Sequence, residues 1–347
     1  MRTLQPHDRI VIFSDLHMGN GSRNDDFVHN GEMFEKVLKG FYAPEKYHLV
    51  LNGDVEELQR FPLRSIVRRW PGIYEAFADV AAEGGLTRIV GNHDLDLLEG
   101  GPGVGPFAMH GSKDWPELFI EPVEEGLRLS HNAGDLFVFH GHQTFRRYEH
   151  HNNLISLVLR YLANPLSIGN VTVAADSRKR FKMERLVYEF ASSRKILAVI
   201  GHTHRPLFES MSKNDSIQFE IERLCRKYPR SKKQKKIEKR IAWLKAELIE
   251  LQTESDQIDE SRSLYQEHLL VPAVFNSGCV LGKRGMTGLE IDGGRIRLVY
   301  WYDTAIKQKL MQYRSKTDTP LEGTRFSRIV IKEDSLDYVF SRIQLLA

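Results

Sequence analysis

The chain has 347 residues, 41% of them hydrophobic, a formal net charge of +3 and two cysteines. That length and apolar content bury a sizeable core, in one large domain or two ordinary ones, and exclude a disordered chain. Cys225 and Cys279 lie outside any CxxC or zinc-type spacing, which excludes a disulfide framework, and so mild a basic excess names no nucleic-acid partner unless it is clustered.

The N-terminal stretch "MRTLQPHDRIVIFSDLH" runs straight into a strand-like segment without an apolar signal region. No stretch approaches the roughly eighteen uninterrupted apolar residues of a membrane span, so a soluble chain in a reducing cytoplasm is expected, with peripheral membrane contact left open. In chain order, "IVIFSDLH", "HLVLNGD", "TRIVGNHD", "LFVFHGH" and "ILAVIGHTH" are short apolar runs, each ending in Asp, Asn, Gly or His. Their Val, Ile and Phe content predicts buried strands. The segments 31–40 and 72–84 read as helices, so β and α alternate and a largely parallel sheet follows. In such sheets ligand groups gather beyond the carboxyl ends of strands, where all five polar clusters fall.

Two regions interrupt the alternation. Residues 143–195 carry "NNLISLVLRYLANPL" and "RFKMERLVYEFASS", two amphipathic helical patterns broken near Pro165, and read as a helical cap insertion. Residues 210–270 place Ile237, Ile241, Leu244, Leu248, Leu251 and Ile258 at coiled-coil-like spacing, which predicts a long exposed helix pairing with a shorter one before Pro229. The chain then returns to β in "AVFNSGC" and "GLEIDGGRIRLVYWY", with a hairpin turn at Asp292-Gly293-Gly294. A charged C-terminal tail is expected over 305–347.

The polar clusters carry metal-ligating chemistry. Asp15 and His17 stand two apart, so on a regular strand both side chains share a face, and a carboxylate with an imidazole suits a divalent transition metal. Asp54 follows a glycine at a strand tip, where a carboxylate can bridge two ions or simply serve a turn. Asn92, His93 and Asp94 supply an amide oxygen, an imidazole and a carboxylate; the oxygen suits a metal, and an imidazole held by a carboxylate suits a general acid. His140 is the better ligand candidate of "FHGH", with His142 a pocket group. His202 and His204 complete the set.

In order, "SDLH", "NGD", "GNHD", "FHGH" and "IGHTH" resemble the five blocks of the calcineurin-like metallophosphoesterase superfamily. The resemblance spans about 15–204, with the β segment at 274–303 completing the core. It implies an α/β fold, a four-layer αββα sandwich with helical insertions, over a single domain 1–347. It also implies two ions, one on Asp15, His17, Asp54 and His204, the other on Asp54, Asn92, His140 and His202. Such ligands suit Mn²⁺ first, with Fe or Zn²⁺ as the other choices. The implied reaction is in-line attack on phosphorus by a hydroxide held between the ions. His93, oriented by Asp94, would protonate the leaving oxygen or stabilise the charge developing on the phosphoryl group, and Arg205 and His142 would contact the substrate.

"GHTHRP" and the insertion between the fourth and fifth blocks look like the branch containing UDP-2,3-diacylglucosamine pyrophosphohydrolases, which implies a phosphorylated, lipid-linked substrate. The chain departs from that branch at His93, where the branch has arginine, and at His142, where it has "HGD". A nuclease or cyclic-nucleotide phosphodiesterase is the second reading, resting on nine Lys or Arg in 226–240 that would hold nucleic acid. The third is a metal-binding scaffold that uses the long helix for a partner or a homo-oligomer.

Overall fold

The computed structural model describes residues 2–97, 123–142, 177–209, 228–231, 233–256, 271–282, 285–306 and 318–347, with single residues at 217, 221, 224 and 225. Its first half runs β1 (Arg2–Thr3), β2 (Arg9–Phe13), α1 (Gly31–Val37), β3 (His48–Asn52), α2 (Leu63–Arg69), α3 (Pro71–Glu83), β4 (Leu86–Ile89), β5 (Leu127–His131) and β6 (Gly134–Val138). The second half runs α4 (Ser177–Arg194), β7 (Leu197–Ile200), α5 (Gln234–Asp256), β8 (Val274–Asn276), β9 (Gly285–Asp292), β10 (Arg295–Asp303), β11 (Thr319–Pro320), β12 (Phe326–Ser335) and α6 (Leu336–Leu346).

Two sheets form where the alternation pointed to one. A seven-stranded sheet has the order β11-β12-β10-β9-β2-β3-β4, and a five-stranded sheet the order β1-β5-β6-β7-β8. Parallel pairing is confined to β2-β3-β4, to β6-β7-β8 and to β1 with β5, and the remaining pairs are antiparallel. Hydrophobic period cannot reveal this split, because a buried parallel strand looks the same in either sheet.

Alternation along the strands builds the layers. On β2 and β3, Val11, Phe13, Leu49 and Leu51 pack with the helical layer of α1 and α3, whereas Ile10, Ile12 and Val50 pack with β5, β6, β7 and α4. The seven-stranded sheet is thereby covered by helices on one face and by the second sheet on the other, the αββα arrangement. Helix α3 starts with Pro71 in its first turn and buries Ile73, Tyr74, Ala76, Phe77 and Val80, the spacing of one apolar stripe. The predicted hairpin forms as a two-residue turn: Gly293 and Gly294 have φ of +58° and +71°, which this turn requires, and Asp292 pairs with Arg295.

Three boundaries differ from expectation. Residues 143–176 of the cap lie outside the described residues, and α4, its second helix, is an outer layer of the sandwich that buries Met183, Val187, Phe190 and Ala191. Of the expected tail 305–347, the described residues 318–347 belong to the fold. Strand β12 pairs with β10 along its length, and α6 buries Leu336, Val339, Phe340 and Ile343 in the core. The long helix α5 is present, with Ile237 and Leu244 buried on its seam, while Trp243 and Ile249 face outward. Ile258 of the predicted seam, and most of the shorter helix before Pro229, lie outside what is described.

Candidate metal centre

The carboxyl ends of the two parallel blocks meet across the sandwich. Asn52, at the end of β3, donates from Nδ2 to the Phe139 carbonyl (3.1 Å), and the Asn52 carbonyl lies 2.7 Å from His140 Nδ1. Ser14 and Ser277 join hydroxyls at 2.7 Å. Every polar cluster read from the sequence is brought to this junction.

The backbone there is strained. Asp15, His17, Asp54, His202 and His204 have φ between +45° and +63°, the left-handed region that side chains rarely adopt. Such geometry persists only where surrounding contacts enforce it, and it clusters at functional sites. Two glycines make the approach fit. A Cβ on Gly53 would lie 2.4 Å from His140 Nδ1, and one on Gly91 would lie 2.1 Å from Asp54 Oδ1.

The side chains converge in groups that could hold metal: Asp15 with His17 and His204, His17 with Asp54 and His93, and Asp54 with His140 and His202, each group's ligand atoms lying within 4.8 Å of one another. Asp15 Oδ1 is 3.1 Å from His204 Nε2, and His17 Nε2 is 3.1 Å from the same nitrogen. Asp54 Oδ2 lies 3.0 Å from His140 Nε2 and 3.7 Å from His17 Nε2, so it faces both sides of the centre. The His202 backbone N–H donates to both Asp15 oxygens, and the His93 N–H to Asp54 Oδ1.

The donor atoms fit a metal. Among the described residues, Asn92 Oδ1 and His202 Nε2 are buried without a hydrogen-bond partner, a costly state unless something else occupies those lone pairs. His140 commits its other nitrogen to the Asn52 carbonyl, which fixes the ring and turns Nε2 inward. Burial would raise Asp15, but His204 and His140 beside it hold it down at about 2. Burial would lower His140, but Asp54 and Asp15 push it up to about 10. Burial and the neighbouring His140 lower His202 to about 3. The carboxylates thus draw positive charge into the centre, and His202 stays neutral with a free ligand nitrogen.

A match to the family model of the calcineurin-like phosphoesterases covers residues 8–211. The chain belongs to this family. As a calcineurin-like phosphoesterase it is a metal-dependent hydrolase, and the groups around Asp15, His17, Asp54, His140, His202 and His204 are candidate ligands for its metal ions. Among solved structures it is similar to a conserved uncharacterized protein of Streptococcus pneumoniae TIGR4 described as a predicted phosphoesterase (11% identity, TM-score 0.31, covering 86% of this chain and 91% of that one). It is also similar to vacuolar protein sorting 29 of Cryptosporidium parvum (11%, 0.36, 95% and 98%) and to a dimetal phosphatase of Danio rerio (10%, 0.32, 85% and 96%). No curated protein matches it.

In this phosphoesterase the carboxylate on His93 is Glu57, where the sequence pointed to Asp94. Glu57 Oε1 lies 2.7 Å from His93 Nδ1 and Oε2 lies 2.9 Å from His17 Nδ1, so one side chain holds both rings. Burial opposes the charge on Glu57, but the two histidines keep it down at about 2. Asp94 instead accepts from the backbone N–H groups of Val55 (2.8 Å) and Gly91 (2.6 Å), tying the Asp54 loop to the Asn92 loop. It is fully buried, and that burial, with Asp54 and Glu56 nearby, raises it to about 7. Glu57 stands three residues after Asp54 in "NGDVEEL", and its only signal was an acidic pair entering an otherwise apolar stretch.

Arg205 is likewise engaged within the protein. Its Nε and Nη2 donate to Glu184 of α4. His142 is buried beside His140, their ring centroids 5.5 Å apart, with its pKa held down first by burial and then by His140 and His202. Sequence reasoning also missed Asn276, whose Nδ2 donates to the Gly201 carbonyl (3.0 Å) and to Thr203 Oγ1 (2.8 Å), bracing the histidine loop.

Proposed function

We propose that the chain hydrolyses a phosphodiester or pyrophosphate bond with two divalent ions, one on Asp15, His17, Asp54 and His204 and the other on Asp54, Asn92, His140 and His202. The observation that carries this reading is the position of Asp54 Oδ2 between His17 and His140, beside the unpartnered Asn92 and His202 donors. Mn²⁺ is the proposed metal, with Fe or Zn²⁺ as the other choices that a set of two carboxylates, an amide oxygen and four imidazoles suits. When bound, the ions would supply positive charge to the phosphoryl oxygens and acidify water for attack.

The chain's own residues provide the rest. Glu57, ionised and bonded to Nδ1 of both His17 and His93, sets the two rings and leaves Nε2 of each to act. Burial opposes protonation of His93, but Glu57 and Asp54 outweigh it and raise its pKa. His93 therefore holds a proton that it can pass to the leaving oxygen, help worth about 10²–10⁴ in rate. Among the described residues no helix is long and apolar enough to cross a membrane, and a cytoplasmic place is proposed. A UDP-sugar carrying acyl chains is the proposed form of the substrate on sequence similarity alone.

The test is metal analysis with an activity panel. The wild-type chain reconstituted with Mn²⁺ is expected to hold two ions and to hydrolyse bis-p-nitrophenyl phosphate faster than p-nitrophenyl phosphate. Single-stranded DNA and UDP-diacylglucosamine complete the panel. Asp54→Asn is expected to lose both ions together, and two fully occupied ions in that variant would refute the bridge.

A further inference from the structure

The segment 58–70, "LQRFPLRSIVRRW", contains Arg60, Arg64, Arg68 and Arg69 and no acidic residue. All four arginines are exposed, and among the described residues none of them pairs with a carboxylate. Among the described residues, Arg9, Arg88, Arg128, Arg205, Arg297, Arg325 and Arg328 are ion-paired, and this segment gathers most of the arginines that are not. On α2, Arg64 and Arg68 stand one turn apart, and each lies two positions from the buried Ile66, so both fall on the face turned away from the core.

The segment is built onto the metal centre. It begins one residue after Glu57, the carboxylate that holds His17 and His93. The Leu58 N–H donates to the His93 carbonyl (3.2 Å), and Gln59 Nε2 donates to the Asn92 carbonyl (2.8 Å). At its far end Trp70 Nε1 donates to the Gly19 carbonyl (2.9 Å), two residues beyond His17. Arg69 lies over Trp70, its guanidinium carbon 4.3 Å from the ring centroid, and crosses Gly21, where a Cβ would sit 2.2 Å from Arg69 Nε. Both ends of the arginine segment are therefore fastened to loops that carry candidate ligands.

We propose that this segment is a phosphate-binding rim, which takes a second phosphate group of the substrate while the first sits at the metal centre. The proposal rests on the phosphoesterase reading and narrows its substrate to one with phosphates in series. Unpaired guanidinium groups suit this task, since their planar forks match phosphate oxygens and stay charged at every working pH. Exposed arginines that served only solubility would gain nothing from being fixed beside a catalytic loop. Two sources present phosphates in series: a pyrophosphate-linked small molecule and a nucleic-acid backbone.

The experiment compares wild type with Arg60→Gln/Arg64→Gln/Arg68→Gln in the full chain with Mn²⁺, using calorimetric binding of AMP, of α,β-methylene-ADP and of a short oligodeoxynucleotide. Arg69 is kept because it packs on Gly21 and Trp70. Each exposed charge contact is worth a few-fold, so the triple variant is expected to weaken a two-phosphate ligand by about tenfold and AMP by less than about twofold. The wild-type affinity for the same ligand should also fall with added salt more steeply than that of the variant. Loss confined to α,β-methylene-ADP assigns the rim to a small pyrophosphate, and loss confined to the oligonucleotide assigns it to a nucleic-acid strand. Equal change for AMP and for both longer ligands, or no change at all, overturns the rim. Hydrolysis of bis-p-nitrophenyl phosphate by the wild type, measured alongside, reports on the catalytic reading separately from these affinities.

Discussion

Glu57 decides what His93 can do. Two imidazoles share its carboxylate, so it both orients His93, the proposed proton donor, and ties that ring to His17, a candidate ligand. Glu57→Gln keeps the shape but removes the charge that raises the pKa of His93. Removing the partner that orients a ligating histidine costs about 10–100-fold in activity or metal affinity. A proton donor works only while protonated, so kcat falls as pH rises through its pKa. In Glu57→Gln that basic limb is expected to move to lower pH as the maximum drops. A kcat profile of unchanged shape, merely scaled down, would remove the proton-donor role. Asp94, the carboxylate adjacent in sequence, stood out because it follows His93 directly, yet its oxygens point back to the Val55 and Gly91 amides. Sequence adjacency alone does not say which way a side chain turns.

At the scale of the element, α4 does more than cover a sheet. Its buried Glu184 accepts from Thr203 Oγ1 (2.9 Å) and from Arg205, and Thr203 lies between the two histidines of the last loop. The left-handed geometry of His202 and His204 is enforced from this side by Glu184 and from the other by Asn276. Glu184→Gln leaves a buried hydroxyl and a guanidinium without a charged acceptor, a loss of about 1–3 kcal/mol before any discount for the half-exposed Arg205. Denaturant unfolding should report this loss, and a Mn²⁺ titration should show weaker binding than wild type. A variant that loses stability while binding Mn²⁺ as tightly as wild type would reduce Glu184 to a packing residue. None of this was legible beforehand, because "FKMERLVYEF" presents Glu184 as an ordinary charge on an amphipathic helix.

At the scale of the whole molecule, the sequence made the five strand ends and the hairpin legible because each joins a strong apolar run to a short polar or glycine cluster. The division into two sheets stayed hidden in local pattern and entered only through resemblance to the family. The C-terminal strand was missed for a physical reason: after Ile329, Val330 and Ile331 it continues as Lys332, Glu333 and Asp334, charges that read as tail. Lys332 and Glu333 are exposed on a strand whose outer neighbour, β11, is only two residues long, where they discourage pairing with another chain. The buried part of this segment holds Phe326, Ile329, Leu336, Val339, Phe340 and Ile343. At ~1.5–3 kcal/mol for each buried large apolar side chain, their loss is as large as the ~5–15 kcal/mol that holds an ordinary domain together. A chain ending at Arg325 is therefore expected to lose cooperative thermal unfolding and to aggregate, while one lacking only Leu345 to Ala347, all exposed, keeps the wild-type melting temperature within a few degrees. Circular dichroism melts of the two truncations separate these outcomes. A cooperative transition in the shorter chain would place the C-terminal strand and helix outside the folding unit, and the metal centre would then depend on the two parallel blocks alone.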